Sequence, residues 1–95
     1  MYHILYIDDE DLLLEIGRIF LEKTGDFIVD TRNSAIDATS AISRSHYDAI
    51  VSDYEMPGVN GIDLLKEVRT HIGDIPFILF TGKGRLRHDG RGALR

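Results

Sequence analysis

The sequence predicts an α/β fold, a doubly wound parallel sheet laid down in the order β-α-β-α-β-α-β, and three observations predict it. Four short apolar runs, at residues 4–7, 27–29, 49–51 and 77–80, lack the polar alternation of a half-exposed strand. The segments between them carry apolar residues at helical spacing. Strands that alternate with helices imply right-handed crossovers and a parallel sheet covered on both faces.

The first run, Ile4-Leu5-Tyr6-Ile7, ends in the acids Asp8 and Asp9. A helix is expected over residues 11–23, with Leu12, Leu13, Ile16, Ile19 and Phe20 as its apolar face and Gly25 as its stop. Asp9, Glu10 and Asp11 stand near its start, where the helix dipole favours negative charge. Phe27-Ile28-Val29 is the second strand. Asn33 or Ser34 is positioned to cap a second helix, whose Ala35, Ala38, Ala41 and Ile42 suit close packing on a sheet. Ala49-Ile50-Val51 is the third strand, closing at Ser52-Asp53. A third helix is expected over 61–71, with Ile62, Leu65, Val68 and Ile72 on one face. Pro76 opens the fourth strand, which ends at Thr81.

Composition bounds the rest. Ninety-five residues make one domain, and 43% apolar content supports one modest core. No cysteine is present, so disulfides and thiolate sites are excluded. The opening Met1-Tyr2-His3 has no basic stretch before its apolar run, and no signal peptide, membrane span or membrane contact is expected. A cytoplasmic location follows as the expectation. Residues 1–81 carry 15 acids against 6 Lys and Arg, a net −9, whereas residues 82–95 carry +4. That basic end has no interleaved aromatic residue for base stacking, and nucleic-acid binding is not expected. His3, His46, His71 and His88 have no metal-ligand spacing.

In an open parallel sheet, ligands gather at the carboxyl ends of the strands. Asp8 and Asp9 follow the first strand, Asp53 ends the third and Thr81 ends the fourth. Three carboxylates brought together repel one another unless a cation neutralises them, and an all-oxygen donor set suits Mg²⁺. A carboxylate is also a nucleophile toward phosphorus, giving an aspartyl phosphate.

These residues resemble the receiver domains of two-component response regulators, of the chemotaxis-regulator-like kind. Ile4-Leu5-Tyr6-Ile7-Asp8-Asp9-Glu10 is similar to their opening strand and acidic pair. Asp53-Tyr54-Glu55-Met56-Pro57-Gly58-Val59-Asn60-Gly61 is similar to their phosphoacceptor segment, and Ile78-Leu79-Phe80-Thr81-Gly82 to the strand whose terminal Thr or Ser meets the phosphoryl group. The resemblance implies a flavodoxin-like receiver fold with strand order 2-1-3-4 and three helices. It also implies a signalling domain rather than a turnover enzyme. Asp53 would accept a phosphoryl group from a histidine kinase in a Mg²⁺-dependent reaction. Asp8, Asp9, Asp53 and the Glu55 backbone carbonyl would serve the metal, and Thr81 the phosphoryl oxygens. Glu55 and Lys83 match positions that tune dephosphorylation. Pro57 shapes the loop, and Gly58 and Gly61 give it backbone freedom.

The resemblance implies a receiver over residues 1–84 that lacks its last helix-strand-helix part, with 85–95 as a basic Gly- and Arg-rich tail. The family's fifth-strand lysine has no matching position, and a truncated or frame-shifted end is expected. The fourth strand would then be an edge, inviting self-association. Two other readings stand beside the phosphoacceptor: a phosphorylation-incompetent interaction module, and a haloacid-dehalogenase-like phosphohydrolase with Asp9 as nucleophile.

Overall fold

Alternation along the first strand sets the architecture. The computed structural model describes residues 1–80. In β1 (Tyr2–Ile7), Leu5 and Ile7 point to one face and Ile4 and Tyr6 to the other, and all four are buried. A strand buried on both faces needs helices on both. They are α1 (Asp11–Glu22) on the Ile4 and Tyr6 side, and α2 (Ala35–Arg44) with α3 (Gly61–His71) on the Leu5 and Ile7 side. The remaining strands are β2 (Phe27–Arg32), β3 (Ala49–Asp53) and β4 (Phe77–Phe80). All pairings are parallel, in the order β2-β1-β3-β4, so the expected fold and topology hold among the described residues.

Ser34, one of the two expected caps, starts α2 by accepting a hydrogen bond from the Asp37 N–H at 3.2 Å. Asn60 caps α3 in the same way, accepting from the Asp63 N–H at 2.9 Å. Ala35, Ala38 and Ala41 are buried as expected, because their small side chains let α2 lie close to the sheet.

Two helix faces differ from the sequence reading. On α1, Leu14 is the buried residue, while Leu12, Ile16, Ile19 and Phe20 are exposed, Phe20 by 74%. The cause is Gly17: a Cβ there would stand 2.4 Å from the Tyr6 ring, so the helix rests on the sheet at its side-chain-free position. On α3, Gly61, Leu64 and Val68 are buried, whereas Leu65 and Ile62 are half-buried and Ile72 is exposed. Both leucines offer an apolar row, and the close seat of Gly61 selects the one containing Leu64.

The second strand also runs three residues further than its apolar run. Asp30, Thr31 and Arg32 stay in the sheet because they pair with Leu5, Tyr6 and Ile7 of β1. Asp30 is satisfied there: the buried Tyr47 hydroxyl donates to its carboxylate at 2.7 Å, and His3 Nε2 lies 3.1 Å from the same oxygen. Among the described residues, no helix is long and apolar enough to cross a membrane.

Candidate metal centre

β1 and β3 are neighbours in the sheet, with Ile7 opposite Ser52. Their carboxyl ends therefore deliver Asp8 and Asp53 side by side, and Asp9 follows on the turn into α1. One carboxylate oxygen from each of Asp8, Asp9 and Asp53 lies within 4.8 Å of the others. Asp8 and Asp53 are fully buried and Asp9 is half-buried. The Glu10 N–H donates to Asp8 Oδ1 at 3.0 Å, and the Glu55 N–H donates to Asp53 Oδ1 at 3.3 Å. Each bond fixes one oxygen of its carboxylate.

The Asp8 carboxyl is raised to about 6: burial pushes it up most, the Glu10 N–H pulls it back in part, and the charges of Asp53, Asp9 and Glu10 add to the rise. Among the described residues, Asp8 Oδ2 and Asp9 Oδ1 are buried with no hydrogen-bond partner. Buried acceptors facing one another without donors are costly. The arrangement fits a hard divalent cation: the clustered donors are carboxylate oxygens only.

The loop after Asp53 is held close. Met56 is buried in the core, and the Gly61 N–H donates to the Tyr54 carbonyl at 2.9 Å. Gly58 sits at φ +79°, the left-handed conformation that glycine tolerates. Gly61 acts differently from the expectation of backbone freedom. Its φ is not positive, but a Cβ there would stand 2.3 Å from the Asp53 carbonyl oxygen and 2.7 Å from Leu79 Cδ2. It is a glycine of close approach, seating α3 directly against the strand end that carries Asp53.

A scan against family models matches residues 4–93 to the response regulator receiver domain. The chain belongs to the response regulator receiver family. This receiver is 39% identical over 89 residues to the response regulator SaeR of Staphylococcus aureus, covering 94% of the chain and 38% of that protein. It thus spans well under half the length of the curated relatives it matches. Among solved structures it is similar to a chain of the complex between histidine kinase ThkA and response regulator TrrA, with TM-score 0.83 and 30% identity over 95% of this chain and 77% of that one. TrrA of Thermotoga maritima in complex with Mg²⁺ and BeF is similar at TM-score 0.81 and 30% identity, over 88% of this chain and 72% of that one.

Within this receiver, four of the residues expected at the site are brought together: Asp8, Asp9, Asp53 and Glu55, the last through its N–H to Asp53. Thr81 and Lys83, with the whole 85–95 segment, lie outside the described residues. Ser52 was missed by the sequence reading. It is fully buried beside Asp53, and its hydroxyl donates to the Asp53 carbonyl at 3.0 Å. A polar residue closing an apolar strand was the available signal.

Proposed function

We propose that this receiver accepts a phosphoryl group on Asp53 from the phosphohistidine of a histidine kinase, in a Mg²⁺-dependent reaction. The observation that carries the reading is the juxtaposition of three carboxylates at one sheet end, with buried oxygens of Asp8 and Asp9 lacking donors among the described residues. The Glu55 N–H holds Asp53 Oδ1, and Oδ2 is assigned as the attacking atom. The bond formed joins Asp53 Oδ2 to phosphorus; the bond broken joins phosphorus to the imidazole nitrogen, which keeps the electron pair. Asp8, Asp9, Asp53 and the Glu55 carbonyl would hold Mg²⁺, which when bound offsets carboxylate repulsion and the charge of the transferred group. Thr81 is assigned to a phosphoryl oxygen, and Glu55 and Lys83 to the lifetime of the phosphorylated state.

On this reading the chain works in the cytoplasm as a switch rather than a turnover enzyme. The family match favours Asp53 over Asp9 as nucleophile. The receiver part is taken as residues 1–84, with 85–95 set apart by charge although the family similarity runs to residue 93. Self-association through β4 is supported by its place at one edge of the described sheet and by its exposed Ile78. An interaction module without phosphotransfer is the competing reading that this edge favours.

Incubation with acetyl phosphate, followed by intact mass spectrometry, tests the proposal. One phosphoryl adduct is expected with Mg²⁺, with loss of the adduct in EDTA and in Asp53→Ala. An unmodified wild type that is folded by circular dichroism would leave the interaction module instead.

A further inference from the structure

We propose that the groove between α2 and α3 docks a basic, leucine-bearing segment of a protein partner. The groove encloses about 300 Å³ and is lined by the N-terminal parts of α2 and α3 and by Val59 of the loop after Asp53. Its apolar lining includes Ile36, Val59 and Leu64. Ile36 is 76% exposed although it sits on the first turn of an otherwise well-seated helix, and Val59 is exposed as well. Asp63 and Glu67, one helical turn apart on α3, line the same groove, and among the described residues no Lys or Arg does. Glu67 Oε2 lies 3.2 Å from His71 Nδ1 on an exposed surface, where a partner's Lys or Arg can reach it.

Charge decides the occupant. The net −9 of residues 1–81 repels nucleic acid and steers a basic segment inward. An apolar side chain between basic residues satisfies lining and acids together, in the manner of groove-bound peptides. The chain's own sequence contains one stretch of that chemistry, residues 82–95, with Leu86 and Leu94 among five basic residues. That stretch supplies a ready probe. Docking here requires no phosphoryl group, so its test is independent of the chemistry at Asp53.

The experiment titrates isotope-labelled full-length chain with a synthetic peptide of the 82–95 sequence, without phosphodonor, and follows backbone amides by NMR. Shifts are expected at Ile36, Thr39, Val59 and Glu67. Glu67→Lys or Ile36→Ser should weaken binding about fivefold, whereas Phe20→Ser on α1 should leave it unchanged. A peptide with Gln at every Lys and Arg should not bind. Shifts centred on α1 or on Asp8 and Asp53, equal binding of the Gln peptide, or no binding would each overturn the proposal. The same titration is run on a full-length chain with its own Lys83, Arg85, Arg87, Arg91 and Arg95 replaced by Gln. Binding to that chain alone would make the chain's own segment the occupant and overturn the assignment to a partner.

Discussion

Gly61→Ala isolates the packing that holds α3 against the phosphoacceptor strand. The added Cβ would stand 2.3 Å from the Asp53 carbonyl oxygen, against the 3.0 Å below which real Cβ contacts essentially never fall. The backbone must therefore yield by at least 0.7 Å, the difference between those two distances. Leu79 Cδ2 at 2.7 Å and Tyr54 Cα at 3.1 Å close the other directions of escape. Overpacking of this kind costs about 1–3 kcal/mol, and because the clash is with backbone the upper half of that range is expected. The gain in helix propensity from replacing Gly is at most about 1 kcal/mol and smaller at the first helical position. A net loss of about 1–2 kcal/mol should appear in urea denaturation as a lower midpoint with unchanged slope. Gly58→Ala is the comparator. Nothing lies within 4 Å of its Cβ, and only the positive φ resists it, at about 1–2 kcal/mol. The two differ in what else they disturb: Gly61→Ala should shift the amide resonances of Asp53 and Tyr54, and Gly58→Ala should leave the Asp53 amide in place. A Gly61→Ala variant as stable as wild type, with an unmoved Asp53 amide, would refute the close-approach argument.

Two further outcomes follow from the site and the helices. Asp8 is raised in the folded chain from 3.8 to about 6, so its ionisation costs stability as pH climbs through that window, and below 3.8 the cost is absent. The full shift corresponds to about 3 kcal/mol as an upper bound, and relaxation around the substituted side chain reduces the measured gain to about 1–2 kcal/mol. Asp8→Asn should therefore stabilise the chain by that amount at pH 7 in EDTA and by little at pH 4; an equal gain at both pH values would contradict the linkage. Leu14→Ala should cost about 2–5 kcal/mol in urea denaturation, whereas Phe20→Ser on the exposed face should stay within about 0.5 kcal/mol. A larger loss for Phe20→Ser would mean that the assigned faces of α1 are reversed.

What the sequence made legible was whatever rests on strand ends. Short apolar runs closing at Asp8 and Asp53 locate the carboxyl ends of β1 and β3, and the parallel topology then brings those acids together. The cap at Ser34 and the small face of α2 were legible for similar local reasons. Features decided by contact between elements were not. Counting bulky apolar residues on α1 favours the stripe through Ile16 and Phe20, because Gly17 carries no hydrophobic signal although it makes the contact with Tyr6. The polar end of β2 reads as loop until its pairing with β1 and the bond from Tyr47 to Asp30 are known. Gly61 reads as a source of backbone freedom until the Asp53 carbonyl is seen against it.

The central claim is that Asp53, rather than Asp8 or Asp9, takes the phosphoryl group. Borohydride reduction of the acetyl-phosphate product converts a phosphorylated aspartate to homoserine, and tandem mass spectrometry then reads its position. Homoserine at residue 53 is the predicted result. Homoserine at residue 8 or 9, or at neither end of the cluster, would contradict the account.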